Sequence, residues 1–341
     1  MELIQSQKIV SQFFPKGKVI QIKESDKGLI NQTFIVWVEN NFTLKKYILQ
    51  SVNTAIFQNY KLNLENIIEV KKAITESSFP YSFPTPIDNR YINISSQVWR
   101  LIPFVEQSIC FEKITDKKLA FEASVCLGSF YYVLHNFNTG KLHETLPDFH
   151  NANKRYNQLE DAITSAEEER KINAFHLIEN IKKEKEVLIK FDILNKVLPK
   201  RVCHFDTKIS NFLFDKETNK AKALIDLDTL MPGTILSDIG DMIRTYSNLL
   251  GEESSDLDNI KADKEIVNLI IRGFLKSSEE ILNQNEKLNL IFAGKSITLM
   301  QSVRFLTDYL NNDVYYKTTY KDQNWVRAQN QWYLYCSLKN I

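Results

Sequence analysis

The sequence is poor in cysteine and has almost no net charge, and each of these features excludes some classes of protein. Its four cysteines are scattered and form no C-x-x-C pair, which argues against a disulfide framework and favours a reducing compartment. Forty-three Lys and Arg residues against forty-two Asp and Glu residues give a net charge of +1. Because no basic block stands out, neither nucleic acid nor an anionic membrane surface is favoured as a partner. A small-molecule substrate is the better expectation.

Long apolar runs and low-complexity segments are also missing. No stretch reaches the roughly 18 uninterrupted apolar residues that a membrane-spanning helix needs. The first five residues, Met1 to Gln5, carry neither the basic nor the apolar region of a secretion signal. We therefore expect a cytoplasmic protein with no membrane partner. The chain has 341 residues, of which 43% are hydrophobic, and this suits one large globular chain or two close-packed domains.

The predicted elements are strands first and helices later. Three strand-like segments (18–23, 33–38 and 44–50) precede a helix at 62–75 and an apolar strand at 97–104. Strong helical patterns then run from 116 towards the C-terminus. This order predicts an α+β fold with two lobes: residues 1–104 form a small β-rich lobe that ends in a hinge, and residues 105–341 form a large helical lobe.

The most informative motif lies inside the helical half. It reads His204-Phe205-Asp206-Thr207-Lys208-Ile209-Ser210-Asn211, and a short apolar strand then leads to Asp226. Phosphoryl transfer needs these parts: an acid that accepts the proton of the attacking hydroxyl, and hard oxygen ligands that hold magnesium on the nucleotide phosphates. The motif therefore predicts a protein-kinase-like enzyme that uses ATP and Mg²⁺, with Asp206 as the base and Asn211 and Asp226 as metal ligands.

Three further residues of the motif have predicted roles. Lys208, two residues after the base, is predicted to be catalytic, because its ammonium could offset charge on the transferring phosphoryl group. His204 is expected to brace the loop rather than to move protons. Asp228 has two readings: a second, water-mediated metal contact, or a cap for the turn that follows it.

Nucleotide contacts are predicted in the small lobe. Gly28 and Asn31 lie in the loop between the first two strands, where a kinase-like fold covers the phosphates, although a single glycine equally suits an ordinary hairpin. The backbone near Leu101, Ile102 and Phe104 is predicted to face the adenine; the alternative is a plain core strand. The third strand ends in Gln50, so the lysine that protein kinases place there is missing.

At these motifs the chain resembles the aminoglycoside phosphotransferase and choline kinase superfamily. Within it, the segments 28–33, 47–53, 225–233, 238–244 and 304–310 resemble the N-acetylhexosamine 1-kinases, whose third strand similarly ends in Leu-Gln. The resemblance implies phosphorylation of the anomeric hydroxyl of a free N-acetylhexosamine, with ATP as donor. It also implies that Arg304, Asp308 and Tyr309 line the sugar pocket. An i,i+4 salt bridge between Arg304 and Asp308 is at least as compatible with their spacing.

Other functions stay open from the sequence. An amino-alcohol kinase of the choline type would need an acidic, aromatic cage for its cationic substrate. An aminoglycoside phosphotransferase is a second possibility within the superfamily, and a nucleotide-binding regulator without catalysis is a third. Asn312-Asp313 stands where the resemblance leads us to expect Gly-Asp, which bears on the range of sugars accepted. We expect a monomer or a weak homodimer whose partners are the nucleotide and a sugar.

Overall fold

The computed structural model describes residues 1–25 and 31–341. Its first lobe is an antiparallel five-stranded sheet in the order β1-β2-β3-β5-β4. One face of this sheet is covered by an N-terminal helix whose buried residues, among them Ile9 and Val10, belong to the same core as the strands. The elements of this lobe are α1 (Leu3–Phe13), β1 (Lys18–Glu24), β2 (Gln32–Asn40), β3 (Thr43–Val52), α2 (Tyr60–Thr75), β4 (Ile92–Ile94) and β5 (Gln97–Pro103).

Strand register sorts the side chains of this sheet onto two faces. Phe34, Leu49 and Leu101 pair across β2, β3 and β5 and enter the core beneath α1. Because successive side chains of a strand point to opposite faces, the neighbouring rows point the other way. These rows are Thr33-Gln50-Arg100 and Ile35-Ile48-Ile102, and both line the cavity between the lobes.

The second lobe contains long helices and two small sheets, in the orders β6-β8-β9 and β10-β7. The region 152–197 contains three consecutive helices, with a break at Ala166 and another at Glu184. The elements are β6 (Ser108–Cys110), α3 (Lys117–Val133), α4 (Ala152–Ser165), α5 (Glu168–Lys183), α6 (Lys185–Val197), β7 (Arg201–Cys203), β8 (Phe212–Asp215), β9 (Ala221–Leu224), β10 (Met231–Gly233), α7 (Ile235–Ser247), α8 (Lys264–Ser278), α9 (Gln284–Leu288), α10 (Leu290–Leu310) and α11 (Gln323–Leu338).

Close packing of α7 on α10 sets the position of the helix that supports the central motif. A Cβ atom added at Gly240 would lie 2.4 Å from Ile297 Cγ1 and 2.7 Å from the carbonyl oxygen of Ala293. One added at Gly294 would lie 2.4 Å from Ile243 Cγ2. All three distances are too short for a real side chain, so glycine at these two positions lets the helix axes approach. Helix α7 is buried along most of its length and is held firmly behind the site.

The predicted α+β fold with a β-rich first lobe and a helical second lobe is confirmed. The three predicted strands and the helix at 62–75 each occur, with ends that differ by three residues or fewer from β1, β2, β3 and α2. The lobe boundary at residue 104 stays a prediction. Within the described residues, no helix is both long enough and apolar enough to span a bilayer.

Candidate active site

A cavity of about 660 Å³ lies between the lobes. Its upper wall is the sheet face with the isoleucine row Ile35-Ile48-Ile102. Its lower wall comes from the central motif, including Lys208, Asn211 and Asp226. An apolar slot that ends in a few polar groups is the usual form of a small-molecule site, and here the polar end coincides with the motif that the sequence singled out.

Asp206 is not itself a lining residue of this cavity, but it contacts the lining residue Lys208. Its Oδ2 accepts a hydrogen bond from the Lys208 ammonium at 2.9 Å, and 28% of its side chain is exposed. Burial acts to raise the pKa of Asp206, but the charge and hydrogen bond of Lys208 outweigh it and lower this pKa. The same pair raises the pKa of Lys208. Asp206 is therefore ionised at neutral pH, as a proton acceptor must be.

Buried carboxylates on α7 hold the backbone of the catalytic loop. Asp238 accepts from the amide N–H of His204 at 2.8 Å and of Phe205 at 2.7 Å. Asp241 accepts from the amide of Thr207 at 3.0 Å. Phe205 has a φ of 65°, an uncommon value for a bulky residue. The hydrogen bonds that Asp238 and Asp241 accept from the residues before and after Asp206 offset that strain.

His204 braces the loop from its other side. Its Nε2 lies 2.9 Å from the carbonyl oxygen of Ile225, and the amide of Asp206 donates to its Nδ1 at 3.3 Å. Since a carbonyl can only accept, Nε2 donates in this contact, while Nδ1 accepts from the amide. The histidine thus ties the base to the strand that precedes Asp226, which agrees with the bracing role expected from the sequence.

Asn211 and Asp226, the two predicted metal ligands, both line the cavity. The side-chain Nδ2 of Asn211 donates to the backbone carbonyl of Asp206 at 2.8 Å. The backbone carbonyl of Asn211 accepts from the amide of Ile225 at 3.0 Å. Burial, followed by repulsion from Asp228 and Asp206, raises the pKa of Asp226 to about 6. An amide oxygen and a carboxylate under pressure from neighbouring acids suit a hard divalent cation, because such a cation relieves the repulsion. The residues present therefore fit magnesium.

The structure gives Asp228 a contact that neither sequence reading proposed. It is 2% exposed, and both its oxygens are hydrogen-bonded within the protein. Arg100 of β5 donates to Oδ1 and, at 2.8 Å, to Oδ2, and Asn31 Nδ2 also donates to Oδ2 at 2.9 Å. The carboxylate is therefore an ion-pair partner for the small lobe. The pKa of Arg100, which burial alone would lower, is raised by this pairing.

The predicted nucleotide contacts divide into several groups. Asn31, Ile102 and Phe104 line the cavity, whereas the Leu101 side chain lies in the core on the other face of the sheet. Gly28 lies outside the described residues. Alternate residues of β5 thus enter the core and the cavity, and the adenine-facing role of this segment stays a prediction. Near the hinge, the Lys46 ammonium lies 4.6 Å from the centre of the Phe104 ring and pairs with Glu106.

The three residues predicted to contact the sugar, Arg304, Asp308 and Tyr309, have different surroundings. Asp308 accepts hydrogen bonds from the amides of Tyr315 at 2.8 Å and Tyr316 at 2.9 Å, so it organises the loop after α10. Tyr309 is buried and stacks on Trp325 with 5.4 Å between ring centres. Arg304, Asp308 and Tyr309 do not line the interlobe cavity, and no ion pair joins Arg304 to Asp308 among the described residues. Arg304 instead stays close to aromatic rings.

Arg304 belongs to a group of three arginines, Arg155, Arg244 and Arg304, which we call the arginine cluster. The Arg304 guanidinium carbon lies 5.3 Å from the centre of the Phe149 ring and 5.7 Å from that of Tyr316. Burial, and then the charges of Arg304, Arg155 and Arg244, depress the pKa of His150 well below 6.5. Within the described chain, Arg155 and Arg304 form no ion pair, whereas Arg244 pairs with Asp241 and Glu252.

The arginine cluster borders the catalytic loop at two places. The His150 ring lies 5.4 Å from the ring of Phe205, the residue immediately before Asp206. On the other side, Arg244 donates to Asp241 at 2.9 Å, and the same carboxylate holds the amide of Thr207. Asp206 therefore lies between the turn that contains Asp226 and a cationic, aromatic region.

Comparison with known families now adds an independent finding. The family model described as "Phosphotransferase enzyme family" matches residues 21–257, which is more than half of the chain and includes the whole motif. The chain belongs to this phosphotransferase enzyme family. Membership agrees with the superfamily that the sequence resembles, and it does not by itself name an acceptor.

Solved structures of other proteins share the family fold at low identity. An aminoglycoside phosphotransferase from Alicyclobacillus acidocaldarius is 13% identical with a TM-score of 0.63, over 98% of this chain and 95% of that one. A Plasmodium vivax ethanolamine kinase is 15% identical with a TM-score of 0.58, over 93% and 82%. A choline kinase from Cryptosporidium parvum is 14% identical with a TM-score of 0.54, over 99% and 96%. At such identities the likeness shows the fold alone.

Sequence reasoning missed Arg100, Arg155 and His150. For Arg100 a signal existed, because it is the one charged residue inside the apolar strand segment 97–104, and a charge at such a place is rarely buried without a partner. Its partner, Asp228, lies 128 positions further on, beyond the reach of local pattern. Arg155 and His150 stand in ordinary polar surroundings in the sequence, so no comparable signal marked them.

Proposed function

We propose that this protein is an ATP- and Mg²⁺-dependent sugar kinase that phosphorylates the anomeric hydroxyl of an N-acetylhexosamine, N-acetylglucosamine or N-acetylgalactosamine. The observation that supports phosphoryl transfer most strongly is that Asn211 and Asp226 both line the interlobe cavity and that Asp206 is joined to Asn211 beside it. Asn211 contacts the backbone of Asp206 directly and that of Ile225 beside Asp226. The choice of acceptor rests on the resemblance described above and on the charges around the base.

Each part of the cavity suits one part of the nucleotide. The adenine packs against the isoleucine row, next to the hinge residues Ile102 and Phe104. Asn211 and Asp226 hold the metal, which neutralises charge on the phosphate oxygens. Lys208 lines the same end of the cavity, where its ammonium stabilises charge on the transferring phosphoryl group.

Asp206 then orients the acceptor and accepts its proton. A new bond forms between the anomeric oxygen and the γ-phosphorus, while the bond from the γ-phosphorus to the β,γ-bridging oxygen breaks. The hydroxyl proton passes to the Asp206 carboxylate, and ADP leaves with the electron pair of the broken bond. Most of the acceleration in such a reaction comes from position and electrostatics, which is consistent with the many hydrogen bonds that hold this loop.

The arginine cluster favours a neutral acceptor with oxygen atoms over a cationic one. Arg304 carries its charge beside the rings of Phe149 and Tyr316 without an ion-pair partner among the described residues. A guanidinium donates to hydroxyl and amide carbonyl oxygens, and an aromatic ring covers the apolar face of a sugar. In this proposal Asp308 acts indirectly, by holding the loop that carries Tyr316, and Tyr309 supports the loop from the core.

Amino alcohols and aminoglycosides are the second class of acceptor, and the same charges disfavour them. At an effective dielectric constant of about 20, two like charges roughly 8 Å apart repel by about 2 kcal/mol. That energy corresponds to a factor of about 30 in affinity. A cation cage would need carboxylates where the arginine cluster stands. A third class, a nucleotide-binding regulator, would bind ATP and magnesium without producing ADP from any acceptor.

Phosphorus NMR on purified protein with ATP and magnesium tests the proposal. We expect N-acetylglucosamine or N-acetylgalactosamine to give a sugar phosphate whose phosphorus couples to the anomeric proton. Choline, ethanolamine and an aminoglycoside serve as competing acceptors in the same assay. Faster turnover of any of these cations than of both sugars would contradict the assignment of the acceptor, and ATP-induced thermal stabilisation without any phosphorylated product would favour the regulator.

A matched pair of variants separates the acceptor site from general stability. Arg304→Gln removes the charge beside the aromatic rings, and Arg272→Gln removes an exposed arginine on α8 that is not part of the arginine cluster. We expect only Arg304→Gln to raise KM for the sugar, with KM for ATP unchanged in both. Equal effects of the two variants on the sugar KM would remove Arg304 from the acceptor site.

A further inference from the structure

A polar row crosses the cavity face of the small-lobe sheet where a protein kinase has its strand lysine. Thr33, Gln50 and Arg100 are cross-strand neighbours on β2, β3 and β5. Gln50 Nε2 donates to Thr33 Oγ1 at 3.0 Å, and Arg100 Nε donates to Gln50 Oε1 at 2.9 Å. Gln50 therefore does not simply replace a lysine, because its amide aligns a cation that comes from the next strand.

Arg100 is almost completely enclosed, and its donors are nearly all in use. Its side chain is 3% exposed. Besides Gln50, it contacts the Tyr91 hydroxyl through Nη1 at 3.1 Å and the Asp228 carboxylate through both terminal nitrogens. A guanidinium has five N–H donors, so the four contacts leave one. Bidentate capture of a phosphate would require the pair with Asp228 to open.

Asp228 transmits the position of Arg100 to the metal site. It lies in the 3-10 turn Leu227–Thr229, which begins directly after Asp226. Asp226 has φ 61° and ψ 62°, a left-handed conformation that a non-glycine residue keeps only when its surroundings hold it there. At the other end of the turn, Thr229 Oγ1 donates to the carbonyl of His204. The turn is therefore anchored to the small lobe at Asp228 and to the catalytic loop at Thr229.

Asn31 adds a second tie from the small lobe to the same carboxylate. Its Nδ2 donates to Asp228, while its Oδ1 accepts from the amide of Asn53 at 2.9 Å, just after β3. Three segments of the small lobe thus meet at one buried acid of the large lobe: the start of β2, the end of β3 and the middle of β5. Such a buried, bidentate pair fixes geometry because neither partner can leave without exposing an unpaired charge.

We propose that Arg100 is a positioning residue that acts through Asp228: it holds the Asp226 turn in its metal-binding conformation and thereby couples the small lobe to the binding of Mg·ATP. This inference rests on the nucleotide and metal part of the proposed function and is independent of the acceptor. In the alternative, Arg100 leaves Asp228 and contacts the phosphates itself. The two cases differ in whether the effect of Arg100 needs Asp228.

A double-mutant cycle decides between them. Calorimetry would give the affinity for Mg·ATP, without acceptor, of the wild type, Arg100→Gln, Asp228→Asn and the double variant. We expect each single variant to weaken Mg·ATP roughly tenfold or more, as is usual when an outer partner of a metal ligand is lost. The double variant should bind Mg·ATP no more weakly than the single variant with the lower affinity, because the two residues act as one unit. If the affinity loss of the double variant instead equals the product of the two single losses, the proposal is wrong.

Metal-free ADP gives a second, independent readout. If Arg100 acts through the Asp226 turn, Arg100→Gln should change ADP affinity less than twofold when EDTA is present. If Arg100 contacts phosphates, ADP affinity should fall with or without metal, and the proposal would be wrong. Arg100→Lys keeps the charge but not the bidentate geometry, so we expect it to lie between the wild type and Arg100→Gln in Mg·ATP affinity.

Controls separate this effect from loss of a buried ion pair in general. Arg201→Gln breaks the pair between Arg201 and Glu286, which is similarly buried and does not line the cavity; it should lower the melting temperature and leave Mg·ATP affinity unchanged. If Arg100→Gln does not fold, Asn31→Ala takes its place, because it removes a neutral donor from Asp228. This variant should also lower the affinity for Mg·ATP, but by less. No loss in Asn31→Ala would then count against the proposal.

The outcome is distinguishable from failure of the proposed sugar kinase activity. Wild-type protein that binds Mg·ATP and leaves both sugars untouched would refute the sugar as acceptor, and the cycle would still test Arg100. Wild-type protein that phosphorylates a sugar and shows multiplicative losses would refute only the role of Arg100. Wild-type protein that does not bind Mg·ATP would refute both.

Discussion

The two ends of the site hold their cationic side chains in different ways. Towards the metal-binding turn, each cation that we assign a role has a carboxylate partner, Lys208 with Asp206 and Arg100 with Asp228. In the arginine cluster, Arg155 and Arg304 contact amide oxygens, backbone carbonyls and aromatic rings instead. The first arrangement fixes geometry, since both partners are held in place. The second keeps net positive charge, which decides what can approach the base from that side.

This difference assigns separate tasks to the two ends. A nucleotide brings its own negative charge together with a metal, so the protein around it needs aligned ligands more than it needs extra cations. An acceptor brings only hydroxyl, amide or amine groups, and unpaired guanidinium groups discriminate among these by charge. Helix α7 joins the two ends, because Asp241 holds both the catalytic loop and Arg244. Changes at the two ends should therefore affect different kinetic constants.

The largest expected effect is loss of the base. Asp206→Asn keeps the size of the side chain and removes its ability to accept a proton, so we expect kcat to fall by about 10²- to 10⁴-fold. Affinity for Mg·ATP should change little, because Asn211 and Asp226 remain. Steady-state kinetics and calorimetry on the same preparation measure both quantities. A variant that loses nucleotide affinity in proportion to kcat would mean that Asp206 belongs to the metal site rather than to proton transfer.

Loss of a metal ligand should produce the opposite pattern. Asp226→Ala removes the carboxylate that faces the cation, and we expect Mg·ATP affinity to fall at least by the roughly 10- to 100-fold that loss of an outer partner typically costs. Adenosine binding, measured by calorimetry in the same buffer, should stay within twofold, since the isoleucine row is untouched. If adenosine and Mg·ATP weaken equally, the variant has disturbed the cavity and the assignment of Asp226 to the metal fails.

A smaller effect should appear on the acceptor side. Arg304→Met keeps much of the apolar stem over Phe149 and removes the charge, so KM for the sugar should rise about tenfold, with KM for ATP and the melting temperature near wild type. Relative turnover of a cationic acceptor such as ethanolamine should increase, because one unpaired positive charge is gone. Unchanged discrimination between sugar and ethanolamine would mean that the arginine cluster does not select the acceptor.

Local patterns in the sequence were sufficient for the elements and for the central motif. Alternation in 33–38 and 44–50 located β2 and β3, because strands with one face in a core repeat every two residues. The spacing from His204 to Asn211 marked one loop whose residues contact one another directly. Such features depend on neighbours in the chain, and a single sequence contains that information.

Contacts between distant segments could not be predicted in this way. The Arg100–Asp228 pair needs the register of β5 against β3 and the position of a turn in the other lobe, and neither is visible at either residue. Asp308 shows the same limit from the opposite direction. Its i,i+4 spacing from Arg304 suggested a helical ion pair, yet the chain returns after α10 and presents the amides of Tyr315 and Tyr316 to this carboxylate. Backbone donors of a later loop took the place of the local partner.

The smallest expected effect concerns pH and tests whether positive charge is retained around His150. Burial and the charges of Arg304, Arg155 and Arg244 depress its pKa in the folded protein, whereas the unfolded chain takes up a proton near pH 6.5. Below that pH the unfolded state binds more protons, so stability is lost as pH falls, with a limit of about 1.4 kcal/mol per pH unit.

Urea unfolding between pH 6.5 and 5.5 should therefore show a shallower pH dependence in His150→Gln than in the wild type, while the exposed-site control His176→Gln keeps the wild-type slope. Equal slopes in all three proteins would mean that His150 takes up its proton in the folded state, and the region beside the base would then not hold the unpaired positive charge that we use to explain the choice of acceptor.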